Sequence, residues 1–264
     1  MKKDSNRNNL IQKQLKIITK KEEKLLKESN DNYIKNKISP IKDKIEGMVP
    51  DKLQSTLELA FQKEFKVVFD KGTAVIEKTY NKENINMEYD INTYAVNKYP
   101  TRKNLRKIDK STNKKTIFNK SLTIVEGSAL GLLGIGLPDI PIYIGVILKS
   151  IYEISLSYGF DYSTESEKAF ILNIICATVT SGKERSHYFD KIDLISDEID
   201  NNKNPTYNIE DMLIETSNKI SVYMLTSKFI QGLPIVGVVG GVTNFLTLQD
   251  ITTIAKLKYK KRYL

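Results

Sequence analysis

The chain has 264 residues, of which 40% are hydrophobic and 28% are charged, and its formal net charge is +9. This charged fraction is high for an integral membrane protein, and the single cysteine excludes an intramolecular disulfide and suits a reducing cytosol. The polar N-terminus has no apolar run behind it, so we expect no secretory signal.

The positive charge is concentrated in two clusters that flank the most apolar stretches. Residues 101–120 hold eight basic residues against Asp109, and residues 251–264 hold five with no acid, whereas residues 160–227 have a net charge of −6. Such clusters form a solvated face or attract anionic lipid, a partner or nucleic acid. The candidate lipid- or partner-binding residues are Arg102, Lys103, Arg106, Lys107, Lys110, Lys256, Lys258, Lys260, Lys261 and Arg262.

Residues 1–36 are polar, with apolar residues at a helical period that predicts a helix near 8–29. We interpret this segment as a loosely attached helical arm or, equally, a frayed terminus, with the main domain at 37–264. A short helix is expected at 41–48. A buried helix then runs from Asp51 to Phe69, and Gly72 marks a break or kink.

Residues 81–117 form a polar segment that precedes the first long apolar stretch. Residues 81–92 are rich in Asn and acids and predict a loop, and a weak helix is expected from Tyr94 to Tyr99, before Pro100. The basic segment 101–117 then leads into an apolar helix that starts near Phe118.

The 22 residues 127–148 carry one charge, Asp139, and match a membrane span in length. Glycines and prolines crowd the centre of this stretch, so a helix, a tight break and a second helix are expected instead of one span. The second helix is expected to run from Pro141 to Gly159, with Asp139 as its N-terminal cap.

Helical patterns continue to the C-terminus. A very apolar helix, capped by Ser163 or Thr164, is predicted to end near Thr180. An amphipathic helix is predicted over 183–199, and further helices are predicted over 208–230 and 235–262. Residues 229–249 carry no charge and contain several glycines and Pro234. Since no segment alternates as a strand does, we predict an all-α fold.

Two segments resemble each other at an offset of 96 residues, pairing Gly136 with Gly232, Gly145 with Gly241 and Glu153 with Gln249. The pattern indicates a multi-helix bundle built around two broken apolar hairpins, 121–159 and 229–262, with glycines allowing close approach; chance similarity is the alternative. The residues assigned to this motif are Gly131, Gly136, Pro138, Asp139, Pro141, Gly145, Tyr158, Gly159, Gly232, Pro234, Gly241 and Asn244.

The block from Leu137-Pro138-Asp139-Ile140-Pro141 to Tyr158-Gly159-Phe160-Asp161 resembles the EcsC protein family, and the likeness extends over roughly residues 37–262. That family is named from a bacterial operon that also encodes an ABC transporter. The proline-rich break followed by a helix ending in Tyr-Gly also resembles a membrane-associated domain found with some bacterial GTPases. These resemblances imply helical hairpins near or in a bilayer, and they supply no catalytic residues.

Few residues are candidates for chemistry. Asp139, Glu153 and Tyr158 are weak catalytic candidates, and for Glu153 the favoured interpretation is an ion pair with Lys149, four residues back on the same helical face. His187 lies in a polar stretch and Cys176 in an apolar helix, so no metal site or cofactor is expected. Phosphate-loop and nucleophile motifs are absent from the sequence, and with Phe118 as its only aromatic residue the 101–120 cluster gives no support for nucleic-acid stacking.

The sequence favours a non-enzymatic helical protein at the cytoplasmic face of the cell membrane, bound to anionic lipid or to a membrane protein such as a transporter. One alternative is an integral protein with spans near 127–148 and 229–249. Another is an enzyme with an acidic pocket between the hairpins. The oligomeric state is not determined by these patterns.

Overall fold

The computed structural model describes residues 2–28, 51–112, 139–201, 203, 205–230 and 241–264. Within these ranges the chain forms ten α-helices and no strand, which confirms the all-α prediction. The helices are α1 (Lys2–Glu28), α2 (Asp51–Val67), α3 (Thr73–Glu77), α4 (Lys82–Lys98), α5 (102–112), α6 (Asp139–Ser157), α7 (Glu165–Val179), α8 (Gly182–Asp200), α9 (Ile209–Ile230) and α10 (Gly241–Tyr263).

Several predicted boundaries coincide with local signals. The helix predicted from Asp51 begins there, and a π-helical turn, Val68–Gly72, occupies the position of the expected kink. Thr164 caps α7 by accepting a hydrogen bond from the Glu167 amide at 3.2 Å. Pro141 lies in the first turn of α6, where its missing N–H costs no helical hydrogen bond.

The prediction of a loop at 81–92 was wrong, because these residues form most of α4. Asn81 caps this helix by accepting a hydrogen bond from the Asn84 amide at 2.7 Å. Ile85 and Val96 are buried, and α4 packs against α6. A good cap and two buried anchors therefore stabilise a helix whose average composition is polar.

Two apolar helices, α6 and α7, form the centre of the fold. Helix α6 contacts α2, α4 and α10, and α7 contacts α8, α9 and α10. Helix α1 lies against α8 and α10, with Ile18 buried. The sequence boundary placed at 36/37, the short helix 41–48 and the helix from Phe118 all lie outside the described residues.

One helical window in the described part of the chain, Ile140–Ser157, is long and apolar enough to cross a membrane. Within the protein, 78% of this window is buried, as in the core helix of a globular fold. Length and composition alone are weak evidence for a span when the apolar surface is already covered by other helices.

Candidate anion-binding surface and lysine-lined cleft

Helix α5 presents one basic face to solvent. Thr101 accepts a hydrogen bond from the Asn104 amide at 3.2 Å and starts the helix, while Leu105 and Ile108 are 4% and 2% exposed and hold it on the protein. The opposite side forms an exposed cationic surface, which we call the α5 face. Its residues are Arg102, Lys103, Arg106, Lys107 and Lys110.

The second group of basic residues, in α10, is turned largely inward. The Lys258 side chain is 1% exposed, and its ammonium lies 2.8 Å from a carboxylate oxygen of Glu22 in α1 and 2.8 Å from one of Asp193 in α8. Lys261 approaches Asp193 to 2.8 Å and Glu22 to 3.6 Å. These ion pairs join three helices, so Lys258 is a structural cation.

Arg262 makes the most buried of the C-terminal ion pairs. Its guanidinium lies 2.6 Å from Glu167, and the two side chains are 2% and 5% exposed. The guanidinium carbon also lies 4.0 Å from the centre of the Phe160 ring. Burial raises the pKa of Glu167, while Arg262 and a hydrogen bond from Tyr259 oppose that rise.

Lys260 and Tyr158 share one carboxylate. The Tyr158 hydroxyl donates to Asp109 at 3.1 Å, and the Lys260 ammonium lies 2.8 Å from the other oxygen of that carboxylate. Burial, together with the charge of Asp109, raises the pKa of Tyr158 well above its ordinary value of 10.0. The Tyr158 phenol therefore stays protonated at neutral pH and does not serve as a base.

These groups border a cavity of about 410 Å³ between α1, α5 and α10, which we call the lysine cleft. Four lysines and one carboxylate lie on its wall, among apolar side chains. The cleft is lined by Ile17, Ile18, Lys21, Lys24, Leu25, Asp109, Tyr158, Thr253, Lys256, Leu257 and Lys260.

The structure does not bring the catalytic candidates together. Glu153 is buried five residues before Tyr158, roughly 140° away around a helix. Lys149 is buried as well, and its expected pairing with Glu153 stays a prediction. The Asp139 side chain lies outside the described residues.

The other two residues considered for chemistry, His187 and Cys176, lie on different helices. His187 is exposed on α8, whereas Cys176 is buried in α7. Burial raises the pKa of the Cys176 thiol to about 12, so the thiol is protonated and unreactive at neutral pH. In the part of the chain that the structure describes, no three His, Cys, Asp or Glu side chains are grouped so as to hold a metal ion.

The structure describes the surroundings of two motif glycines, Gly145 within α6 and Gly159 in the turn that follows it. Gly159 has φ +84° and ends α6, with the Phe160 amide donating to Ser155 and the Gly159 amide donating to Leu156. At Gly145 a Cβ would meet no described heavy atom within 4 Å, and the predicted close approach of the two hairpins at this glycine stays a prediction. Gly131, Gly136, Pro138, Gly232 and Pro234 lie outside the described residues, as do the surroundings of Gly241 and the side chain of Asn244.

Sequence reasoning missed the acidic partners Glu22, Glu167 and Asp193. Each of these acids is distant in sequence from its basic partner. Glu167 also lies in the first turn of a capped helix, so its position has a local explanation that conceals its pairing with Arg262. Among the acids that pair with these cations, Asp109 alone could have been suspected from the sequence, because it is the one acid in the basic segment 101–120.

Residues 12–264 match the EcsC protein family. The chain belongs to this family. The EcsC match starts within α1 and so includes most of the N-terminal helix. The chain is also 29% identical over 154 residues to the uncharacterized protein YdbA of Bacillus subtilis (strain 168), covering 52% of this chain and 51% of that protein. It therefore spans about half the length of that relative. No solved structure matches.

Proposed function

We propose that this EcsC protein is a non-enzymatic helical protein that acts at the cytoplasmic face of the membrane. The α5 face would contact anionic lipid headgroups or an acidic surface of a membrane protein. We also propose that the fold is built around two glycine- and proline-broken hairpins, 121–159 and 229–262, in which α6 and α10 are the second helices. These two helices pack against each other, which supports the pairing of the hairpins.

One observation carries the proposal: five cationic side chains share one exposed side of a short helix whose other side is buried. Each lysine or arginine near an anionic surface adds about 1 kcal/mol of attraction. The cations of α10 contribute less to this surface, because Lys258 and Arg262 are enclosed and paired with acids.

The test is flotation with vesicles that contain phosphatidylglycerol, at low salt. Replacing Arg102, Lys103, Arg106, Lys107 and Lys110 with Gln should weaken vesicle binding at least about tenfold, because the attraction is electrostatic. Raising the salt concentration should weaken binding of the unmodified protein in the same direction.

The matched control removes the same charge from other exposed places. Its substitutions are Lys52→Gln, Lys63→Gln, Lys78→Gln, Lys183→Gln and Lys203→Gln. This control should retain most of the binding. Failure of the unmodified protein to float at low salt would refute the proposal, as would equal losses in both variants.

Fractionation of cells tests the integral alternative. A peripheral protein should leave membranes in salt or carbonate washes. Retention in the membrane after a carbonate wash would instead favour insertion of the apolar stretches near 127–148 and 229–249.

A further inference from the structure

We propose that the lysine cleft is a binding site for the phosphate headgroup of a single anionic lipid, with the start of its acyl chains lying on the apolar wall. This inference rests on the proposed membrane function and deepens it, because it assigns one lipid molecule to one cavity. The α5 face would bind the bilayer as a whole, and the cleft would select a lipid within it.

Charge is the first argument. Lys21 and Lys24 on α1 and Lys256 and Lys260 on α10 line the cleft, and among the described residues of the lining Asp109 is the one carboxylate. Lys260 and the Tyr158 hydroxyl both bind that carboxylate, which offsets its repulsion of an anion. The lining therefore has a net positive charge suited to a phosphate, for which lysine is a common point-charge ligand.

Shape and polarity are the second argument. A volume of about 410 Å³ lies in the range of small-molecule sites, about 300–1,000 Å³. Ile17, which is 39% exposed, and Leu25, which is half-buried, form an apolar wall beside the lysines, whereas Ile18 and Leu257 on the same lining are already covered by the protein. A free phosphate would leave this apolar wall in contact with water, whereas the glycerol and first methylenes of a lipid would cover it.

Position is the third argument. Helix α5 contributes Asp109 to the cleft and, at the next residue, Lys110 to the α5 face. When the α5 face lies on a bilayer, the cleft therefore lies close to the headgroups. A lipid could then enter with its phosphate among the lysines while its chains remain near the membrane.

The experiment uses a short-chain phosphatidic acid below its micelle concentration, titrated calorimetrically into the full-length protein. Lys21→Gln/Lys256→Gln should weaken binding at least about tenfold. Thr253→Phe, which leaves every lysine in place and fills the cleft, should weaken binding similarly. The control Lys63→Gln/Lys183→Gln removes the same charge elsewhere and should bind as the unmodified protein does. Circular dichroism checks that each variant is folded.

Further measurements distinguish a lipid from a free phosphate as the ligand. They also distinguish failure of the cleft proposal from failure of the proposed membrane function. Inorganic phosphate and glycerol phosphate should bind at least tenfold more weakly than the lipid; equal affinity would overturn the assignment to lipid. The α5 variant should lose vesicle flotation but keep short-chain lipid binding. If the unmodified protein floats but the cleft variants bind the short-chain lipid normally, the cleft proposal alone fails. If nothing floats, the membrane function fails.

Discussion

At the scale of single residues, Gly145 and Gly159 differ in backbone conformation and in the space around them, although both belong to the same predicted motif. Gly159 has a left-handed backbone that L-residues avoid, and a Cβ there would lie 2.2 Å from the Tyr89 ring. The Tyr89 ring packs edge-on against Tyr263 at 6.3 Å, so moving it would disturb the C-terminal helix. Gly145 lies in the interior of α6 with open space around its Cβ position.

We therefore expect opposite effects of alanine at these positions. Gly159→Ala should lower the free energy of unfolding by about 1–2 kcal/mol from backbone strain, with a further loss from displacing Tyr89. Gly145→Ala should raise it by about 0.5–1 kcal/mol, since alanine favours the helix interior. Urea unfolding measures both. A destabilising Gly145→Ala would show that this position needs glycine.

Glu77, the last residue of α3, connects the start of α4 with the loop after α6. It accepts a short hydrogen bond from Tyr162 and lies 2.9 Å from the Lys82 ammonium. The Tyr162 ring stacks on Tyr152 with centres 3.9 Å apart. The hydrogen bond from Tyr162 and then that from Lys82 hold the pKa of Glu77 below its ordinary value of 4.5.

This lowered pKa predicts a pH dependence of stability. Because the unfolded carboxylate binds its proton at higher pH than the folded one, its stabilising contribution is present above about pH 4.5 and is lost as the pH falls through the folded pKa. Glu77→Gln should therefore cost stability at neutral pH and progressively less in acid, as measured by urea unfolding. The exposed Glu23→Gln serves as the control. A cost for Glu77→Gln that is independent of pH would contradict the linkage.

At the scale of elements, α10 is held in place by charges at its C-terminal end. Lys258 and Lys261 bind acids of α1 and α8, Lys260 binds Asp109 of α5, and Arg262 binds Glu167 of α7. Basic residues in the last turns of a helix would ordinarily be interpreted as solvated side chains that interact favourably with the helix dipole. Here the same residues connect four neighbouring helices.

The buried Arg262–Glu167 pair can be tested with a double-mutant cycle. Glu167→Leu or Arg262→Met alone should lower the unfolding free energy by about 3–5 kcal/mol, because each leaves one buried charge without its close partner. The double variant should lose much less than the sum of the two. Urea unfolding provides all the values, and additive losses would show that the pair is not coupled.

At the scale of the whole molecule, the two basic clusters divide into different roles. The α5 cations are exposed to solvent, whereas most of the α10 cations complete the interior or line the lysine cleft. Net charge counts both clusters equally. Only the directions of the side chains distinguish a solvent-exposed cationic surface from ion pairs that hold helices together.

Local patterns along the chain were sufficient to predict most of the helices and the family. Apolar periodicity, the Thr164 cap and the prolines act within a few residues, so α2, α6, α7, α8 and α9 could be predicted from local patterns. Helix α4 could not, because its stability depends on Ile85 and Val96 packing against α6. Tertiary structure alone decided which lysines face solvent, that Tyr158 joins Asp109, and that α1 and α10 enclose a cleft. These facts depend on contacts between residues far apart in the chain, and no local rule of propensity or spacing specifies such contacts.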